Sequence, residues 1–209
     1  MIETITQYFA DFSWIKAIDM AGLVLGLIYL WLEFKASIWM WVVGVIMPIA
    51  HGYLYWERGL YADFGMEIYY VIAAVYGYVL WQWSRSHSGA TVEKQAERPI
   101  THFPLRQVLP VALAGLGLWA LIYWILITFT DSTVPLCDSF TTSLSMVATW
   151  ALAQKYAEQW LMWFVVDLVC AILYVYKQIP FTACLYAFYT VMAILGYRHW
   201  LRKIFAADT

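Results

Sequence analysis

Residues 68–81, IYYVIAAVYGYVLW, return in altered form at 187–200, AFYTVMAILGYRHW. At an offset of 119 residues Tyr70 meets Tyr189, Ala74 meets Ala193, Gly77 meets Gly196, Tyr78 meets Tyr197 and Trp81 meets Trp200, so both stretches close on GYxxW. Each stretch belongs to an apolar run long enough to cross a bilayer as a helix, which takes roughly 17 to 25 residues. Each also ends a group of three such runs, at 18–34, 38–56 and 60–83 and at 137–154, 158–176 and 180–200. One long polar connection, SRSHSGATVEKQAERPITHFPLR, and one more apolar run, 109–130, separate the groups. A single crossing helix between two triplets sets them parallel, related by an axis along the membrane normal. The expectation is an all-α integral membrane protein with seven transmembrane helices in a 3+1+3 parallel-repeat bundle. Residues 1–209 then form one transmembrane domain, with triplet 18–83, cytoplasmic loop 84–108, crossing helix 109–130 and triplet 137–200.

Composition agrees with a membrane setting. Of 209 residues 64% are hydrophobic and 12% charged, with 13 Trp and 16 Tyr, whereas soluble domains average about 25% charged residues. A net charge of −2 gives no reason to expect a nucleic-acid partner. Cys137, Cys170 and Cys184 are an odd number lying in or beside apolar runs, so they imply no disulfide framework. The amino-terminal MIETITQYFADFSWIK lacks the basic start and apolar core of a cleaved signal peptide, and reads as a short helix at the membrane interface. With no GxxxxGK[ST] sequence, any transport draws on gradients or on trapping.

Basic residues orient the chain. An outside amino terminus places Lys35, Arg85, Lys94, Arg98, Arg106, Lys155, Arg198, Arg202 and Lys203 inside, and Lys16, Arg58 and Lys177 outside. Nine against three satisfies the positive-inside rule and puts the carboxyl terminus in the cytoplasm.

The residues that could carry chemistry lie in the third and sixth runs. Trp160, Trp163 and Asp167 are spaced i, i+3, i+7, within about 60° of one helix face, and Tyr174 extends the stripe. Two indoles and a carboxylate suit a flat organic cation. In the third run Asp63, Glu67, Tyr70, Ala74, Gly77 and Trp81 share a stripe. Glu67 has two readings: a cargo contact, or the partner of His51, which a hairpin turning near residue 58 puts at equal depth. Asp138 reads as the N-cap of the fifth helix, and Pro48 kinks the second and frees a carbonyl. No Lys or Arg sits centrally in any run, which disfavours a phosphorylated cargo. Two other classes fail on residues. A retinal protein needs a Lys within 180–200, and that run has none. An intramembrane aspartyl protease needs paired Asp in YD and GxGD patterns, which are missing.

The segments SIWMWVVG, GLYADFGMEIYYVIAAVYGYVLW, DSFTTSLSMVATWALAQKYAEQWLMWF, with its WxxW at Trp160 and Trp163, and LGYRHW together resemble the PnuC family of bacterial vitamin transporters across the whole membrane region. The resemblance implies a SWEET-like helix arrangement, often a homotrimer, in the bacterial inner membrane. It also implies facilitated diffusion of an unphosphorylated vitamin precursor that a cytoplasmic kinase then traps, with no catalysis and no cofactor. Relatives that carry nicotinamide riboside typically have Gln where this chain has Glu67, and Asn where it has Met47 and Asp167. Carboxylates in place of amides favour a cation with hydrogen-bond donors, so thiamine is the preferred cargo and nicotinamide riboside the alternative. The expected cargo contacts are Trp160, Trp163, Asp167, Glu67, Tyr70, His51, Met47, Tyr174 and Tyr189.

Overall fold

The computed structural model describes residues 14–57, 61–87, 98–176 and 180–207, with side chains from residue 24 onward apart from a few at helix ends. Among them lie seven helices and no strand: α1 Trp14–Phe34, α2 Trp39–Glu57, α3 Tyr61–His87, α4 Leu105–Phe129, α5 Pro135–Ala153, α6 Gln159–Tyr176 and α7 Pro180–Ala207. Each coincides with one of the seven apolar runs. Phe64–Ser84, Leu105–Phe129 and Gln159–Tyr176 are the described segments long and apolar enough to cross a bilayer by themselves. The interfacial helix expected over the first sixteen residues falls mostly outside the described part.

The sequence expectation for Asp138 is corrected by the start of α5. The helix begins three residues earlier, at Pro135, whose missing N–H is no loss in a first turn. Val134 occupies the cap position without a side-chain bond. Asp138 instead sits in the first turn, where a carboxylate still favours the positive end of the helix dipole, and accepts a hydrogen bond from Ser132 Oγ at 2.7 Å.

The chain divides into two compact units, 1–79 and 80–209. In the first, α1 stops at a turn in which Ala36 has φ 57°, Ala36 N donates to Glu33 O and Ser37 N donates to Leu32 O. That is a Schellman ending, usually made with glycine because the left-handed conformation costs other residues about 1 kcal/mol. In the second unit α5 stops identically: Lys155 has φ 57°, its N donates to Leu152 O, and Tyr156 N donates to Ala151 O. The next bonds agree too, Met40 N to Ser37 O against Gln159 N to Tyr156 O, and Trp41 N to Ile38 O against Trp160 N to Ala157 O. Every partner is shifted by the same 119 residues that relate the two GYxxW segments.

The glycines of those segments have a shared packing reason. A Cβ on Gly77 would overlap the indole of Trp41, and one on Gly196 would lie 2.6 Å from Cδ2 and Cε2 of Trp160. Trp41 and Trp160 are themselves 119 residues apart. In each unit an indole ring lies flat against the backbone of the last helix, and only glycine leaves room for it.

In the second unit, the segment leading into α4 is fastened to the α5–α6 turn. Thr101 N donates to Lys155 O at 3.1 Å, and Ala157 N to Thr101 O at 3.0 Å. Arg98 reaches Gln154 through its Nε and Nη2, while Glu158 accepts from Phe103 N and pairs with His102 Nδ1, both at 2.7 Å. Lys155, 2% exposed, lays its Nζ 4.1 Å above the ring of Trp81, whose Nε1 donates to Ala153 O at 2.8 Å. Farther along, Trp119 Nε1 of α4 donates to Ser139 Oγ of α5 at 3.1 Å.

Gly→Ala in a helix interior ordinarily stabilises by up to about 1 kcal/mol. Here the sign should reverse: overpacking against an indole costs about 1–3 kcal/mol. Gly77→Ala and Gly196→Ala should each lower the melting temperature of the detergent-purified protein, and unchanged or raised melting would refute the packing account.

Candidate functional site

Asp167 lies mid-way along α6 and is 7% exposed. Among the described residues no hydrogen bond or ion pair reaches its carboxylate, and the Tyr189 hydroxyl of α7 is its electrostatic neighbour. An ionised carboxylate at that depth costs several kcal/mol unless a cation or donors offset it.

The two tryptophans that spacing alone treats as equals are placed differently. Trp160 is 1% exposed, one face against Gly196 and its ring at 88° to Trp200, with centroids 5.8 Å apart. Packing occupies its ring faces, and its buried Nε1 has no hydrogen-bond partner among the described residues. Trp163 is only half buried, yet its Nε1 is enclosed and has no hydrogen-bond partner among the described residues. It therefore offers a ring surface and an unused donor.

Tyr174 of α6 stacks on Tyr186 of α7, 5.2 Å between centroids at 20°, and Tyr186 meets Tyr189 edge to face at 5.9 Å. The buried positions of α5 include Ser139, Thr141, Ser143, Ser145 and Thr149. All five hydroxyls donate to carbonyls three or four residues back, and Ser139 Oγ already accepts from Trp119. Sequence reasoning passed over this polar stripe, although the i, i+4, i+8 spacing of Thr141, Ser145 and Thr149 was its signal.

In the first unit His51 Nδ1 lies 3.8 Å from Glu67 Oε1, the pairing that the hairpin register predicts, at ion-pair distance but too long for a hydrogen bond. Tyr70 packs edge to face on Tyr69 at 5.5 Å and lies within electrostatic reach of Tyr29, as does Glu33. Glu33, 4% exposed, is a buried carboxylate that the sequence reading did not single out; Tyr29 one turn earlier was the available signal. Met47 is half buried beside Pro48, which denies the Gly44 carbonyl its usual helical donor. Gly44 is also where Tyr29 comes close, with 3.3 Å from a built Cβ to the ring.

A cavity of the second unit lies elsewhere. About 620 Å³ lies between α4 and α5, lined by apolar side chains such as Val108, Ala112, Leu116 and Val147, and none of the expected cargo contacts borders it. No residue of α4 is buried, so that hollow lies beside an exposed helix.

A family described as nicotinamide mononucleotide transporter matches residues 16–202. The chain belongs to the PnuC family of vitamin transporters. PnuC of Escherichia coli K12, named a nicotinamide riboside transporter, is 24% identical over 92% of this chain and 87% of its own. The PnuC of Neisseria mucosa, named likewise, is 23% identical over 97% and 78%. The riboflavin/roseoflavin transporter RibM of Streptomyces davaonensis is 29% identical over 87% and 83%. A crystal structure of the vitamin B3 transporter PnuC superposes with a TM-score of 0.69 at 22% identity, over 97% of this chain and 87% of that one, and so shares its fold. PnuC-family members are transporters, which removes the intramembrane hydrolase from consideration.

The different burial of the two tryptophans has a measurable consequence. Trp160→Ala should destabilise the purified protein by about 3–5 kcal/mol, the range for a buried aromatic, and Trp163→Ala by less than half of that. Equal losses of melting temperature would overturn the distinction.

Proposed function

We propose that this PnuC-family protein admits nicotinamide riboside to the cell by facilitated diffusion. The observation that carries a cationic cargo is Asp167: a buried carboxylate with no partner among the described residues suits a cargo that brings its own positive charge. Nicotinamide riboside brings one as an N-glycosylated pyridinium, flat enough to lie on the ring of Trp163. Thiamine, preferred from sequence, has the same sign of charge, so the carboxylate does not separate the two. The relatives support the riboside, since those compared above are named for nicotinamide riboside or riboflavin.

In this reading Trp163, Asp167, Tyr174 and Tyr189 contact the cargo, while Trp160 holds the helix that presents them. In the first unit the assignment falls on Glu67, His51, Tyr70 and Met47, where the His51–Glu67 pair supplies both a donor and an acceptor. The shared 119-residue shift of the two Schellman turns supports two parallel three-helix repeats joined by α4. The nine-to-three split of basic residues supports an outside amino terminus and a cytoplasmic carboxyl terminus in the inner membrane. Alternating exposure of the site then moves the cargo, and cytoplasmic phosphorylation by a kinase retains it. A homotrimer is the assembly proposed.

Binding to the purified protein, with nicotinamide riboside, thiamine and riboflavin compared side by side, tests the cargo. The riboside should bind most tightly, and Asp167→Asn should weaken it roughly thirtyfold, the loss expected when one member of a buried charge pair is neutralised. Tighter binding of thiamine would restore the preference drawn from sequence. Tightest binding of riboflavin, indifferent to Asp167→Asn, would identify a neutral cargo.

A further inference from the structure

Beyond Asp167, the second unit holds another carboxylate whose surroundings the transport reading leaves unused. Asp138 stands in the first turn of α5, its Oδ2 fixed by the Ser132 hydroxyl at 2.7 Å. It is an electrostatic neighbour of Tyr174, and Tyr174 is hydrogen-bonded to Tyr186. The rings of Tyr174 and Tyr186 stack at 5.2 Å, and Tyr186 meets Tyr189 at 5.9 Å. Three tyrosines from two helices thus lie in ring contact, with Asp138 within electrostatic reach of Tyr174 at one end and Asp167 within that of Tyr189 at the other.

Tyrosines near helix ends commonly serve as separate interfacial anchors. These three touch one another instead, and a carboxylate stands at each end of the run. The inner one is more than nine-tenths buried and lacks a partner among the described residues, so the run leads to a group that needs a cation. Seven residues separate Tyr174 from Asp167 on α6, about 10 Å of helix rise. Electron-rich ring faces beside a carboxylate form a weak organic-cation site.

We propose that Asp138, Tyr174 and Tyr186 form a second, shallower station for the organic cation that Asp167 holds deeper in the same unit, an assignment that rests on the cationic-cargo reading above. On the proposed topology this station lies at the outer end of α5 and α6. It concentrates the cation near the mouth and hands it along Tyr186 and Tyr189 to Asp167. The passage breaks no covalent bond, and the cation exchanges one carboxylate for another.

Initial uptake by reconstituted protein, with nicotinamide riboside and its reduced dihydropyridine form compared, separates charge from shape, because the reduced form is neutral and nearly isosteric. Asp138→Asn should raise KM for the cation about fivefold, the scale of a partly exposed cation site, leaving its maximal rate and the KM of the neutral form unchanged. Tyr186→Leu should raise KM for the cation similarly. A KM unmoved by Asp138→Asn, or moved equally for both forms, overturns the station while leaving the cargo intact; no uptake of nicotinamide riboside by the wild-type protein overturns both. N-methylnicotinamide provides a second measurement. In the Asp167→Asn protein it should still quench aromatic fluorescence saturably, and adding Asp138→Asn should abolish that quenching. Saturable quenching that survives the double substitution refutes the station. Asparagine can still accept the Ser132 bond, which keeps the first turn of α5 intact.

Discussion

An indole pressed flat on a glycine backbone holds each unit at its tightest point. Gly77 beneath Trp41 and Gly196 beneath Trp160 bring two helices closer than any Cβ allows. That proximity fixes the rotation of α2 and α6, and with it the direction of everything else on those helices. Among helices in lipid such close approach replaces much of the hydrophobic drive available in water, since a lipid tail is as apolar as a leucine. The Schellman turns supply the complementary constraint by setting the angle at which α2 and α6 begin. In both turns a residue other than glycine bears the left-handed conformation.

Around this shared frame the chemistry diverges. At the 119-residue offset Gly44 corresponds to Trp163, Pro48 to Asp167, His51 to Cys170 and Glu67 to Tyr186. Bulk has also changed helices, because Tyr29 crowds Gly44 in the first unit while its counterpart in the second is Ala148, fully buried. At one pair of offset-related positions the first unit has a proline that frees a carbonyl, and the second has a carboxylate. The two units thus share a frame and carry different acceptors at its centre.

Much of the fold was legible because a bilayer leaves a chain few options: every backbone group must be bonded internally, so apolar runs of sufficient length become helices. The His51–Glu67 proximity was readable for the same reason, since a hairpin of two straight helices makes depth a matter of counting. Counting could not tell Trp160 from Trp163. Both lie on one stripe, and what separates them is the helix that approaches from α7, a contact 36 residues away along the chain. Asp138 was misplaced because a proline start needs no capping side chain, so the polar residue nearest the boundary was not the boundary. Glu33 escaped notice at a helix end, where a carboxylate ordinarily reaches water. The cargo was the least legible feature, because thiamine, a thiazolium, and nicotinamide riboside, a pyridinium, both present a carboxylate with a positively charged heteroaromatic ring.

The bonds between residues 98–103 and the α5–α6 turn give α4 a mechanical character that its position in the chain does not suggest. A lone helix between two triplets resembles a tether, free to stay still while either side rocks. Here the stretch just before α4 is stitched to the turn that starts α6, Gln107 accepts from the Tyr156 hydroxyl, and Trp119 pins the helix to α5. Any tilt of α6 must carry α4 with it. The crossing helix is a flange of the second unit.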